Sequence, residues 1–127
     1  MNPAVAEWVE KAEGDYVSAE RELRARNKPN YDSACFHSQQ CAEKYLKAVL
    51  QANNKHIPKI HSLLELLGII LKFDGTYELL RIDLNVLEDY AVRFRYPGET
   101  AEKAEAKAAY RAAKTVREFA RQKHGLK

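Results

Sequence analysis

Glycine and proline are scarce, 5 and 4 among 127 residues, which argues against collagen-like, low-complexity and turn-rich all-β chains and favours helices. No apolar run approaches the roughly 18 residues of a spanning helix, and no basic segment followed by an apolar stretch opens the chain. No membrane partner is therefore expected, and a cytoplasmic address is the default. Cysteine is limited to Cys35 and Cys41. Six positions apart on one helix, their side chains diverge by more than a right angle and cannot bridge, which leaves two buried thiols in a reducing compartment. Neither belongs to a CxxC pair or to a Cys/His cluster at zinc spacing. The chain also lacks a glycine-rich phosphate loop and a nucleophile beside a base, so no metal and no cofactor is expected. A formal net charge of +3 permits an anionic partner but does not by itself argue for nucleic acid.

What is present is 46% hydrophobic and 31% charged, enough for one helical domain spanning residues 1–127. Asn2 before Pro3 is an N-cap followed by a proline at the first helical position, and Val5, Trp8, Val9, Ala12, Tyr16, Ala19 and Leu23 continue an apolar stripe. That predicts a first helix over about 3–26. A turn at 27–30 leads to a second helix over 31–54, capped by Asn30 or Asp32. Pro58 breaks the connector that follows, and Ser62 with Glu65 has the form of a capping box opening a short, deeply buried third helix. Asp74-Gly75 closes it. A fourth helical period runs from Tyr77 to Arg95 with a break near Asp83, stopped by Tyr96-Pro97-Gly98. The last helix, Glu99 to His124, carries an alanine face that lets a neighbour approach closely. The expected fold is all-α, an up-and-down bundle of about five helices. It is expected to dimerise through Phe36, Leu50 or the alanine face.

The second helix has two unlike sides. Small apolar residues gather on one, while His37, Gln40, Lys44 and Lys47 line the other at spacings of three and four. Set beside Asp89, Arg93, Arg95 and Tyr96 from the end of the fourth helix, these residues make a candidate ligand-binding cleft. Asp89, four positions before Arg93, can orient its guanidinium as a planar fork suited to phosphate or carboxylate. The alternative is that carboxylates pair with these cations and lock the two helices together. Glu43 is expected to partner Lys47, His61 to serve a cap or turn, and Trp8 and Tyr16 to belong to the core.

Four stretches together resemble the HEPN family of helical domains. They are Trp8-x-x-Lys11-Ala12-x-x-Asp15-Tyr16, the run from Cys35 through Gln39-Gln40-Cys41-Ala42-Glu43-Lys44 to Ala48, His61-Ser62-Leu63, and Tyr90-Ala91-x-Arg93-x-Arg95-Tyr96-Pro97. The resemblance spans almost the whole chain. It implies a four- or five-helix bundle that forms a homodimer, and a partner protein, a minimal nucleotidyltransferase, in a toxin-antitoxin-like pair. It also implies, for a large subset, metal-independent ribonuclease chemistry, in which an Arg followed after four to six residues by a His acts at the dimer cleft. This chain departs from that pattern: after Arg93 and Arg95 no His follows until His124. Arg117 and His124 have the spacing and are the catalytic candidates, although such a match arises readily by chance and lies in the last helical turns. The preferred reading is a non-catalytic partner of a nucleotidyltransferase with a nucleotide- or RNA-phosphate-binding cleft. A metal-independent endoribonuclease toxin and a purely structural dimeric scaffold are the alternatives.

Overall fold

The computed structural model describes residues 2–125. It contains five α-helices, α1 (Pro3–Arg24), α2 (Tyr31–Ala52), α3 (Leu63–Leu71), α4 (Arg81–Leu87) and α5 (Lys103–Lys123). Two 3-10 segments, Gly75–Leu80 and Glu88–Ala91, flank α4, and no strand occurs among the described residues. None of the helices is long and apolar enough to cross a membrane.

Helix starts follow local chemistry. Asn2 accepts from the Ala4 N–H ahead of Pro3, Asn30 rather than Asp32 caps α2 by accepting from Ser33, and Ser62 accepts from Glu65. Asp32 instead accepts from the Ala101 N–H and ties the entry to α5 against the start of α2. The α3 cap has a second part that is not local. Glu88, from beyond α4, accepts from the Ser62 hydroxyl and from the Leu63 and Leu64 N–H groups, adding a carboxylate to the positive end of α3. The predicted fourth helix is broken twice, at Leu80 and Leu87, and helical geometry is lost after Ala91. Gly98, at φ 106°, takes a left-handed turn that glycine alone adopts freely.

Cross-helix pairs set the register. Trp8 lies against Lys47, and Glu13 against Tyr45, so α1 and α2 are antiparallel. Glu13 also meets Arg117 while Tyr16 stacks on Tyr110, so α1 and α5 are antiparallel too. Tyr77 meets Phe119 and Tyr90 meets Glu105, which runs the α4 segment, residues 75–91 with its two 3-10 flanks, back along α5. The result is an up-and-down arrangement of α1, α2, the α4 segment and α5, with α3 as an added short helix.

Between them lie Tyr45, Leu46, Leu50, Leu63, Leu66, Leu67, Ile70, Tyr77, Leu84 and Leu87, all fully buried. Each such leucine contributes about 1.5–3 kcal/mol of burial. Leu50 is therefore core, not a dimer contact, and Phe36 is half-buried. The expected alanine face of α5 is divided: Ala101, Ala112 and Val116 are buried, Ala108 and Phe119 are half-buried, and Ala104 and Thr115 are exposed, while Ala106, Ala109, Ala113 and Ala120 complete the inward side. Other apolar residues are left outside: Leu79, Ile82 and Val86, spaced three and four apart along the α4 segment, are 75%, 78% and 38% exposed, and Val17 and Val92 are exposed singly.

Candidate functional site

The polar side of α2 divides between two carboxylates. His37 and Lys44 lie seven positions apart and so share a helical face, which α1 covers with Asp15. His37 Nδ1 lies 2.7 Å from Asp15 Oδ1, and Lys44 Nζ donates to Asp15 Oδ2 at 2.5 Å. Asp15 is only 8% exposed. One turn around, Glu43 is 3% exposed and is met by four groups. Lys47 donates at 3.1 Å, Gln39 at 3.2 Å and Gln40 at 3.5 Å, while His61 Nδ1 stands at 3.0 Å. The expected Glu43–Lys47 pair is thus present. Lys47 is almost fully enclosed, with Nζ 5.7 Å from the centre of the half-buried Trp8 ring. Gln39 bridges Glu43 to the His61 carbonyl and accepts from Gln40 at 2.7 Å.

The end of the α4 segment faces other partners. Arg93 pairs with Glu105 of α5 at 3.1 Å and with Glu99 at 3.6 Å, and its guanidinium lies 5.0 Å from the Phe94 ring centre. The expected Asp89–Arg93 fork is replaced by a backbone bond, Arg93 N–H to the Asp89 carbonyl, because the helix that would have aligned the side chains stops at Ala91. Arg95 lines an open hollow of about 450 Å³ with Asn30, Asp32, Ser33, Phe36, Tyr90 and Phe94, at the first turn of α2. Tyr96 is 73% exposed. Helix two and the end of helix four do meet, but at the opening turn of α2. Lys44 faces α1 and Arg93 faces α5, so the eight candidates do not converge on one cleft.

Arg117 and His124 are also separated. Arg117 grips both oxygens of Glu13, at 2.6 and 2.7 Å, with its guanidinium 4.6 Å from the Tyr16 ring centre. Burial would raise the Glu13 carboxyl, but hydrogen bonds from Arg117 and Tyr45 outweigh it and hold the group below its usual range. Arg121 adds a bond to the Tyr45 hydroxyl at 3.1 Å. His124, at the end of α5, has Nε2 3.1 Å from the Tyr77 hydroxyl, and burial lowers its pKa, which favours the neutral ring as acceptor.

Residues 5–123 match the HEPN domain. The chain belongs to the HEPN domain family. Its fold is that of TT1696 from Thermus thermophilus, at 27% identity over 97% of this chain and 99% of that one, with a TM-score of 0.82. ST0689, an archaeal HEPN homologue, matches at 22% identity over 94% and 96% of the two chains, with a TM-score of 0.76, and supports the fold alone. No curated protein matches this sequence.

Within this HEPN domain the acidic partners Asp15, Glu13 and Glu88 escaped sequence reasoning because each pairs with a residue 22 or more positions away. Gln39 was missed as well. Its signal was available: it sits three and four positions from Ala42 and Cys35, inside the apolar sector of α2, where an amide needs a partner.

Proposed function

We propose that this HEPN domain is the non-catalytic member of a two-component pair with a minimal nucleotidyltransferase. In this reading it works as a cytoplasmic homodimer and holds nucleotide or RNA phosphate at the Arg95 hollow. The observation that carries the non-catalytic reading is the placement of Arg117 and His124. Arg117 is bound at both ends of its fork to Glu13, and His124 is tied to Tyr77, so the single Arg–His pair of suitable spacing serves the fold. A guanidinium held by Nε and Nη2 on a carboxylate has its positive charge already offset and its fork directed at that partner, not at a scissile phosphate. The exposed Leu79, Ile82 and Val86 row supports self-association, since it is an apolar stripe with no cover in one chain. Arg95 at the hollow, beside the positive end of the α2 dipole, supports a phosphate site, with the Asp32 carboxylate on the same wall turned to the Ala101 N–H.

The test joins three measurements. Incubation with RNA in excess chelator should leave the RNA intact; cleavage abolished by Arg117→Ala or His124→Ala would replace this reading with the ribonuclease one. Light scattering should give a dimer for the native chain and a monomer for Ile82→Glu. Where a minimal nucleotidyltransferase is encoded beside this chain, mixing the two should give one co-eluting species; separate elution would remove the partnership.

A further inference from the structure

A mild net charge conceals a strong local one. Between the carboxyl end of α1 and the first three turns of α5 lies an open trough of about 760 Å³. Arg24, Arg26, Lys103, Lys107, Arg111 and Lys114 line it, and no carboxylate does. All six are exposed. Arg24 pairs with Glu20; among the described residues none of the other five is in an ion pair. The asymmetry has a structural source. Asp15, Glu43, Glu13 and Glu105 are spent on cations between the helices, while the outward face of the first half of α5 keeps its cations unneutralised.

Lys103, Lys107, Arg111 and Lys114 recur at four, four and three positions, so they form one row about 16 Å long with charges roughly 5–6 Å apart. A lone phosphate would call for cations converging on a point. A row along an open trough instead matches a linear chain of charges. The walls add apolar and aromatic surface from Leu23, Pro29 and Tyr31, which suits bases lying beside a phosphate backbone better than it suits an acidic peptide.

We propose that this trough binds the phosphodiester backbone of single-stranded nucleic acid. The site lies across the Pro29–Ser33 stretch from the Arg95 hollow and stands whether or not the hollow holds phosphate. Four phosphates engaged by the α5 row give a slope of log K against log salt of about −2.8, from about −0.7 per contact.

The experiment is fluorescence anisotropy of a labelled twelve-nucleotide oligouridylate, titrated with the intact chain between 50 and 200 mM salt. Native protein should bind with a slope near −2.8. Lys107→Glu with Arg111→Glu should weaken binding about tenfold or more and bring the slope to about −1.4 or shallower. Lys59→Glu with Lys72→Glu makes the same change in net charge at exposed positions outside the trough and should leave most of the affinity. Circular dichroism checks that each variant folds. Absence of binding at 50 mM salt would overturn the assignment, as would equal loss in the two double variants. Loss with Arg95→Ala but not with the α5 reversal would move the ligand to the hollow, and better competition by polyglutamate than by unlabelled oligouridylate would make the trough a protein-docking face.

Discussion

Replacing Glu43 by methionine should be among the most damaging single changes in the molecule, and the structure says why. The carboxylate is 3% exposed and accepts from Lys47, Gln39 and Gln40, with the His61 ring also in reach. Methionine fills the space but offers only a weakly accepting thioether, so it leaves the enclosed Lys47 ammonium without its carboxylate and the Gln39 amide with the His61 carbonyl alone. Breaking a buried pair from one side costs about 3–5 kcal/mol, against a total stability of about 5–15 kcal/mol for a domain. With a urea m-value of about 1.5 kcal/mol/M, the unfolding midpoint should fall by about 2–3 M. Lys47→Met removes the cation while Glu43 keeps its other donors, and should cost less. In the double variant the stranded charge is gone, so it should be more stable than the sum of the single losses predicts, with a coupling of about 2 kcal/mol or more. Urea titration followed by circular dichroism and by the single Trp8 reads all three. A Glu43→Met cost below about 1 kcal/mol, or additivity within about 0.5 kcal/mol, would refute the view that this buried pair is held by mutual need.

Other outcomes follow from single groups. His124 has its pKa pressed below 6.5 by burial, so the unfolded chain takes up its proton first. Its contribution to stability is present above about pH 6.5 and is lost as pH falls through the folded value, so His124→Gln should flatten the stability profile between about pH 7 and 5 in thermal melts. Glu13 acts lower, since its depressed carboxyl gives stability present above 4.5 and lost below; Glu13→Gln should remove that acid-side slope. Burial pushes the Cys35 thiol up to about 12 and raises Cys41 as well, so a disulfide reagent at pH 8 should label neither in the native protein and both in denaturant. The Ser38 hydroxyl is buried without a hydrogen-bond partner among the described residues, and Ser38→Ala should be neutral or stabilising by about 1 kcal/mol in the same urea assay.

Much of the framework is legible from local chemistry. Asn2-Pro3, Asn30 and Ser62 open helices where their side chains can reach an N–H two or three residues on, and Pro58 and Gly98 interrupt them. The Glu43–Lys47 pair needs only four positions of one helix. The break expected near Asp83 falls instead at Leu80 and Leu87, with Asp83 inside α4, and the loss of helix after Ala91 undoes the Asp89–Arg93 pairing that regular spacing implies.

What the sequence by itself determined is what depends on neighbours in the chain: five helices, the capped starts of the first three, the thiols turned inward and the family. Only the tertiary structure decided which charges neutralise each other. Glu13 chooses Arg117 across 104 positions, Asp15 takes both His37 and Lys44, and Arg93 turns to Glu105. Coulombic pairing acts through space and is blind to sequence separation, so a count of +3 gives no sign that α5 bears an unneutralised row beside α1. The same packing that joined those carboxylates to interior cations left the basic trough outside.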